Sequence, residues 1–261
     1  RDNNLFAVDI NTGKEFQYTN DGSDVVYNGW AAWLYYEEIF GRPSRYRAFW
    51  WSPDSKRLVF FRFDELKVPV FPIFNAEGVH GSLENTRYPK AGDPNPEVKI
   101  GTISIPNINI VWIDFNEKDD QYFGTPFWTP DGKQLICQWM NRQQDTLILY
   151  SINPETGNKK QIYIEHQKSW VDWFESIHFL KDNNRFIIKS DKDGWSHLYL
   201  HGLDGKFINK ITDGKWGIVD MQLLDENNGV IYFTARKEIT TNTDFYSVNL
   251  NGKNLKRLSP G

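Results

Sequence analysis

The chain has 261 residues, with 30 Lys and Arg side chains against 34 Asp and Glu, which gives a formal net charge of −4. Hydrophobic residues at 39% and charged residues at 25% exclude a disordered chain, and the lack of a basic excess argues against a nucleic-acid binder. The single cysteine, Cys137, permits neither an internal disulfide nor a cysteine-based zinc site, and no apolar run is long enough to span a membrane.

Short strands separated by polar turns recur along the whole chain. The first two are predicted within Leu5–Gly13 and at Glu15–Thr19. Four later segments each consist of an apolar strand, a polar turn and a second apolar strand, which is the pattern of a β-hairpin. These segments are Trp50–Phe63, Phe127–Met140, Ile177–Ser190 and Asp220–Thr234.

Third and fourth strands are predicted after three of the hairpins. The third strands are predicted within Leu147–Gly157, Leu198–Gly205 and Phe245–Gly252, and the fourth strands at Gln161–Glu165, Ile208–Thr212 and Leu255–Leu258. Four antiparallel strands that recur about every 40 to 50 residues are typical of a β-propeller. The sequence therefore predicts an all-β fold, a propeller fragment of about four to five four-stranded antiparallel blades. The first blade supplies only its last two strands, so we expect the chain to be part of a longer protein.

We predict a single partial propeller domain over residues 1–261. Two stretches of this domain do not fit the strand repeat. Residues 30–47 predict a short helical insertion, in which Trp30, Trp33 and Leu34 fall at helical spacing and are expected to pack against the blade. Residues 69–96 contain several prolines and glycines and predict a long loop. Long insertions on a regular scaffold commonly carry function.

The helical insertion contains two adjacent acids, Glu37 and Glu38. Two carboxylates on a rigid turn can chelate one cation, which relieves their mutual repulsion. A solvated acidic pair on a surface helix is the commoner alternative. The residues alone leave both interpretations open, and both carboxylates are expected to face solvent.

No pattern in the sequence indicates a catalytic centre. The segment Gly194-Trp195-Ser196-His197-Leu198 is similar to a Gly-x-Ser-x-Gly nucleophile elbow but lacks the final glycine and a strand–helix unit around it. Adjacent Ser196 and His197 on a strand also point to opposite faces. The histidines have no ligand spacing, since His197 and His201 would lie about 13 Å apart on a strand. We therefore expect no catalytic residue, no metal and no cofactor.

Several motifs of the chain resemble the N-terminal propeller domain of the dipeptidyl peptidase IV family, in the prolyl oligopeptidase clan of serine peptidases. The matching segments are Asn28-Gly29, Trp33-Leu34-Tyr35-Tyr36-Glu37-Glu38-Ile39-Phe40, Trp50-Trp51-Ser52-Pro53-Asp54, Arg62-Phe63-Asp64-Glu65, Tyr88-Pro89-Lys90-Ala91-Gly92, Asn95-Pro96 and Trp170-Val171 with Phe174. One departure is that Tyr36 stands where the family has the first of three glutamates, so the resemblance makes Glu37 and Glu38 the functional pair.

The resemblance implies the role of the chain. Members carry an eight-bladed propeller and an α/β-hydrolase domain with Ser, Asp and His, and they release Xaa-Pro or Xaa-Ala dipeptides. Glu37 and Glu38 would bind the free α-ammonium group at the peptide substrate N-terminus, so that only two residues reach the scissile bond. Phe174, and less firmly Ile39 and Trp173, would line the substrate channel.

The same resemblance implies partners and location. The C-terminal α/β-hydrolase domain of the parent is expected to be absent from this chain, which alone should be inactive. The propeller arginine of the family lies upstream of the matched region. A homodimer is compatible with the resemblance, and a periplasmic or extracellular, membrane-associated location is expected for the parent.

Two other functions would require different features in the sequence. A non-enzymatic propeller that binds protein partners would be expected to lack the insertion with Glu37 and Glu38. A propeller glycosidase would need acids from several blades around the central channel, and no repeated inward acid is present in the sequence.

Overall fold

The structure is a computed structural model that describes residues 1–259, and most of these residues lie in β-strands and turns. Within them, helical backbone occurs only at residues 33–39 and 42–44, so the predicted all-β class is confirmed. The described residues form two compact units. Unit 1 comprises residues 1–128, 132–135 and 152–159, and unit 2 comprises the others. The single domain over residues 1–261 stays a prediction.

Unit 1 contains the first eleven strands of the chain. They are β1 (Phe6–Val8), β2 (Glu15–Gln17), β3 (Val26–Asn28), β4 (Phe49–Trp51), β5 (Arg57–Asp64), β6 (Val70–Asn75), β7 (Ser82–Arg87), β8 (Glu97–Ser104), β9 (Ile110–Trp112), β10 (Gln121–Phe123) and β11 (Phe127–Trp128). The order β3-β5-β8-β9 forms an antiparallel sheet, in which β4 also pairs with β5, while β1–β2 and β6–β7 are separate two-stranded sheets.

Strand β5 is the centre of unit 1, because its side chains are buried on both faces. Phe60, Phe61 and Phe63 are all fully buried. On one face Phe60 joins Leu58 and Ile103 in a cluster that also includes Leu5 and Tyr18 from the beginning of the chain. Strand β5 therefore offers a rigid base for anything attached to its edge.

Strands β3 and β4 pair with two successive parts of the same edge of β5. Asn28 is the register partner of Arg62, and Phe49 is the partner of Phe60. The two strands thus act as one edge strand from which residues 29–48 loop out. This loop is the predicted insertion.

Unit 2 contains the remaining strands, apart from terminal residues of β12, β13 and β14. They are β12 (Leu135–Asn141), β13 (Thr146–Ile152), β14 (Lys159–His166), β15 (His178–Phe179), β16 (Arg185–Ser190), β17 (His197–Gly202), β18 (Phe207–Lys210), β19 (Gly217–Asp225), β20 (Val230–Arg236), β21 (Asp244–Asn249) and β22 (Lys256–Arg257). Strands β12, β13 and β14 are consecutive neighbours, and the orders β15-β16-β17-β18 and β19-β20-β21-β22 form two four-stranded antiparallel sheets.

The core of unit 2 joins its two four-stranded sheets. Ile187 and Leu200 from one sheet pack in a single buried cluster with Phe233 and Tyr246 from the other. Trp216, which lies between the sheets in sequence, stacks near both of these rings, at 6.3 and 6.4 Å between centroids. This burial of apolar side chains is the main force that holds the two sheets together.

Three of the four predicted hairpins are confirmed, since β4–β5, β15–β16 and β19–β20 pair antiparallel in three different sheets. Strands β11 and β12 occupy the fourth predicted segment, and β12 extends one residue beyond it, to Asn141. The third and fourth strands predicted after the hairpins coincide with β13 and β14, β17 and β18, and β21 and β22.

The prediction of a long loop over residues 69–96 was wrong for most of its length. Residues 70–87 form the β6–β7 hairpin, with six register pairs from Val70 with Arg87 to Asn75 with Ser82. Pro72 lies within β6. An isolated two-stranded ribbon tolerates a proline because each strand has an open side that needs no ladder hydrogen bond.

Candidate functional site

The insertion is closed at its base by backbone hydrogen bonds to β5. The Gly29 amide donates to the Phe61 carbonyl, the Phe61 amide donates to the Ala48 carbonyl, and the Ala48 amide donates back to Gly29, at 2.9, 2.9 and 3.0 Å. Gly29 has φ = 72°, a left-handed conformation that side chains disfavour, and an added Cβ would lie 3.0 Å from the Leu5 side chain. The loop therefore leaves and rejoins the sheet at one fixed point.

Aromatic rings fill the interior of the insertion. Tyr46 stacks on Trp30 at 5.0 Å and on Tyr36 at 3.8 Å between centroids, and Trp33 meets Tyr36 edge to face. An antiparallel bridge between Trp30 and Arg47 continues the closure of the base. Stacked and edge-on rings add specific contacts to the area that they bury, so the insertion has a defined shape.

Tyr35 anchors the insertion in the core of unit 1. Its side chain is fully buried, and its ring packs 4.8 Å from Phe63 and 5.5 Å from Phe40. The Phe123 amide donates a hydrogen bond of 3.2 Å to the Tyr35 hydroxyl, and burial raises the pKa of this group. Of the three residues predicted to pack the helix against the blade, Trp30 is half exposed, so the prediction was wrong for this residue. Trp33 and Leu34 are half-buried, and Tyr35 is the fully buried residue of the turn.

The carboxylate pair lies on a π-helical turn, Tyr35–Ile39. The Phe40 amide donates to the Tyr35 carbonyl at 2.7 Å, which is the five-residue step of a π-helix. Such turns are rare and often occur at functional sites. The turn places Glu37, Glu38 and Ile39 on one short segment that begins at the buried Tyr35.

Both carboxylate oxygens of Glu37 have partners. Trp33 Nε1 donates to Oε2 at 2.6 Å, and Arg42 Nη2 forms an ion pair with Oε1. The hydrogen bond from Arg42, with that from Trp33, lowers the pKa of Glu37 below its ordinary value. Its side chain is 23% exposed, so Glu37 faces solvent less than was predicted for both acids.

Glu38 differs from its neighbour. Its side chain is exposed, and no hydrogen bond or ion pair reaches its carboxylate from the rest of residues 1–259. Ile39, the third predicted site residue on the turn, is half-buried. The turn therefore presents one carboxylate with fixed partners beside one that is open to a ligand.

Phe174, the remaining predicted site residue, lies in unit 2. Its backbone exchanges two hydrogen bonds with the Gln138 side chain, at 2.9 and 3.1 Å, and its ring meets Tyr163 at 5.7 Å. Only 7% of the residue is exposed. Phe174 is thus held firmly in its own unit, whereas Trp173 beside it is half-buried.

Comparison with known proteins agrees with the family resemblance of the motifs. The sequence model described as dipeptidyl peptidase IV (DPP IV) N-terminal region matches residues 1–261. The chain belongs to the dipeptidyl peptidase IV N-terminal family. Among curated relatives, a probable dipeptidyl-aminopeptidase B of Talaromyces marneffei is 30% identical over 99% of this chain and 32% of its own length. A probable dipeptidyl peptidase 4 of Arthroderma benhamiae is 30% identical over 97% of this chain and 34% of its own length.

Solved structures support the family fold. The dipeptidyl peptidase 4 of Porphyromonas gingivalis superposes with a TM-score of 0.88 at 27% identity, over 100% of this chain and 37% of that one. A putative dipeptidyl aminopeptidase IV from Bacteroides ovatus gives a TM-score of 0.79 at 23% identity, which shows the fold alone. The all-β partial propeller is confirmed, while the number of blades stays a prediction. The chain spans about a third of the length of the curated relatives that it matches.

Other candidate sites in this member of the dipeptidyl peptidase IV family have structural explanations. His197 is fully buried, and its ring nitrogens face Thr212 Oγ1 at 3.1 Å and the Gly214 carbonyl at 2.9 Å. Within residues 1–259 no group of three or more His, Cys, Asp or Glu side chains could hold a metal. No helix in the described part of the chain is long and apolar enough to cross a membrane.

Sequence reasoning missed two residues of the site. Arg42 and Trp33 both bind Glu37, but the motifs gave Arg42 no role and assigned Trp33 to packing. Trp33 lies four residues before Glu37, a spacing that could have indicated the contact. Arg42 follows at five residues and after Gly41, whose φ of 76° turns the chain, so its approach could not be read from helical spacing.

Proposed function

We propose that this chain is the substrate-recognition part of a dipeptidyl peptidase, a serine exopeptidase that releases Xaa-Pro and Xaa-Ala dipeptides. Glu37 and Glu38 bind the free α-ammonium group of the peptide. One observation carries this proposal: two adjacent carboxylates lie on one anchored turn, and that of Glu38 is exposed and without a partner among residues 1–259. Membership in the family supports the proposed activity.

The chemistry of an ammonium group fits this pair. An ammonium donates three hydrogen bonds and accepts none, and ionised carboxylates are acceptors only. Hydrogen bonds between ionised groups are stronger than those between neutral groups, so two carboxylates on adjacent residues of one turn favour a charged amine over a neutral group. The lowered pKa of Glu37 keeps that side chain ionised under mildly acidic conditions.

Binding of the amine would also determine which peptide bond is cleaved. When the N-terminus is fixed, only a bond at a set distance from it can reach the catalytic groups, which gives dipeptide release. Contacts made away from the reacting bond help to orient it and raise kcat/KM. The serine nucleophile and its partners would belong to a C-terminal α/β-hydrolase domain of the parent protein.

Ile39 and Phe174 are proposed to line the path of the peptide. Ile39 directly follows the carboxylate pair, and the ring of Phe174 is held by its backbone contacts with Gln138. Apolar walls of this kind suit the side chains of a bound peptide. A homodimer and a periplasmic or extracellular location complete the proposal for the parent.

The test combines removal of each carboxylate with removal of the charge on the substrate amine, in the full-length gene product. Wild type, Glu37→Ala and Glu38→Ala are assayed on a Gly-Pro-type chromogenic dipeptide with a free amine and on the same compound with an acetylated amine. Each variant should lose at least about tenfold in kcat/KM on the free amine only, because a charge-assisted contact is removed. Full activity in both variants, or a loss that only follows their melting temperatures, would overturn the proposal.

A further inference from the structure

Glu37 already holds a cation of the chain itself. Arg42 Nη2 pairs with Glu37 Oε1, on the carboxylate that the proposed function assigns to the substrate ammonium. The other oxygen accepts from Trp33 Nε1 at 2.6 Å. With Glu37 and Glu38 ionised, Arg42 reduces the formal charge of this cluster from −2 to −1, so the site is partly neutralised before any peptide arrives.

Arg42 is held beside the turn by the backbone that follows. Gly41 has φ = 76°, and Arg42–Ser44 form a short 3-10 turn with Pro43 in its first positions. Backbone hydrogen bonds from Ser44 to Gly41, at 3.0 Å, and from Arg45 to Arg42, at 3.1 Å, close this turn. The backbone position of Arg42 is therefore fixed by the conformation of the loop.

The ion pair is nonetheless one that a ligand can displace. The Arg42 side chain is 71% exposed, whereas that of Glu37 is 23% exposed. Exposed ion pairs are weak, because water screens them and their long side chains lose freedom when paired. Trp33 would keep Glu37 in place if Arg42 moved away.

We infer that Arg42 is an internal competitor for the ammonium site, a residue that sets how tightly the Glu37–Glu38 pair binds a peptide N-terminus. This inference rests on the proposed function. A guanidinium and an ammonium compete for the same Glu37 oxygen, so the observed affinity for the substrate is lower than the carboxylates alone would give. Glu38, which has no competitor among residues 1–259, is the acid that meets the incoming amine first.

The test compares Arg42→Gln with Arg42→Lys in the full-length gene product. Arg42→Gln should lower KM for a free-amine dipeptide substrate about two- to fivefold with kcat unchanged, which is the range expected from loss of an exposed ion pair. Arg42→Lys keeps the charge and should stay near the wild-type KM. In a Glu37→Gln background, Arg42→Gln should have no effect. A KM that rises in Arg42→Gln, or falls equally in the Glu37→Gln background, would overturn the inference.

A second readout does not depend on catalysis. The Trp33 Nε1–H resonance of protein labelled with ¹⁵N-tryptophan should follow the ionisation of Glu37, since that proton lies in the hydrogen bond. Its pH midpoint should rise in Arg42→Gln, and an unchanged midpoint would contradict the ion pair. Glu38→Gln separates the two claims: if it keeps full activity the proposed function fails, and if it loses activity while Arg42→Gln raises KM, only this inference fails.

Discussion

Two excursions leave the central sheet of unit 1, and they use their aromatic and apolar side chains in opposite ways. The insertion at residues 29–48 packs its rings against one another, with Tyr35 fully buried and Trp30 at its outer end 49% exposed. The β6–β7 hairpin turns its apolar side chains outward, and Phe74 and Leu83 are 66% and 65% exposed. Only the first excursion also fixes a carboxylate, Glu37, by two polar contacts. The position of Glu37 therefore depends on the internal packing of the loop that carries it.

The base of the hairpin also supports the insertion. Tyr88, the residue after β7, meets Trp33 edge to face at 6.5 Å, and its amide donates to the Pro69 carbonyl at 3.1 Å. Trp33 in turn holds Glu37. The base of the hairpin therefore contributes, through Trp33, to the position of Glu37.

The largest expected effect comes from the anchor of the insertion. Tyr35→Ala should lower the free energy of unfolding by about 3–5 kcal/mol, because a fully buried ring is replaced by a cavity. Tyr35→Phe keeps the ring and loses only the hydrogen bond from Phe123, which costs about 1 kcal/mol. Urea denaturation followed by tryptophan fluorescence gives both values, and a loss below about 1 kcal/mol in Tyr35→Ala would contradict the anchoring role.

A second effect concerns Glu65, the residue that follows β5 and precedes the β6–β7 hairpin. It is 2% exposed, and burial raises its pKa to about 7 against the opposing effects of the Tyr27 hydroxyl and the Arg87 guanidinium. Because the folded state binds this proton more tightly than the unfolded chain, the stabilisation is complete below about pH 4.3 and is lost as the pH rises through about 7.

The size of this pH effect follows from the raised pKa of Glu65. Stability should fall by about 3–4 kcal/mol between acidic and mildly alkaline pH through Glu65 alone. Glu65→Gln should remove this part of the pH dependence, and denaturation curves at several pH values compare the two proteins. Parallel pH profiles for wild type and Glu65→Gln would show that the buried carboxyl does not titrate in this way.

The smallest stability effect is expected at the tip of the hairpin. Phe74 and Leu83 are register partners on exposed strands. Replacing both by Ser should change the free energy of unfolding by less than about 1 kcal/mol, the range for an exposed cross-strand pair. A loss similar to that of Tyr35→Ala would mean that the hairpin packs more tightly than its exposure indicates.

Much of the strand pattern could be predicted from local sequence. Apolar runs on both sides of a polar turn, as in Trp50–Phe63, specify a hairpin without information from elsewhere in the chain. The β6–β7 hairpin was missed because Pro72 normally argues against a strand, and only the open sides of a two-stranded ribbon accept it. The family motif identified Glu37 and Glu38 as candidate site residues, but it did not indicate that Tyr35 is the buried residue of their turn.

That failure has a physical cause. Helical spacing assigns the packing face to Trp30, Trp33 and Leu34, but the turn follows the wider π-helical step, and Tyr35 reaches the core instead. The pairing of Arg42 with Glu37 depends on the left-handed conformation of Gly41, which no periodicity encodes. Contacts that depend on backbone irregularities of this kind follow from the tertiary structure.

The most direct test of the central claim compares one acid from each excursion in the full-length gene product. Glu38 lies on the anchored turn, and Glu77 is an exposed acid in the turn of the β6–β7 hairpin. We predict that Glu38→Gln lowers kcat/KM for a free-amine dipeptide substrate at least about tenfold with an unchanged melting temperature, while Glu77→Gln leaves both unchanged. Equal kcat/KM values for the two variants would contradict the assignment of Glu38 to the substrate amine.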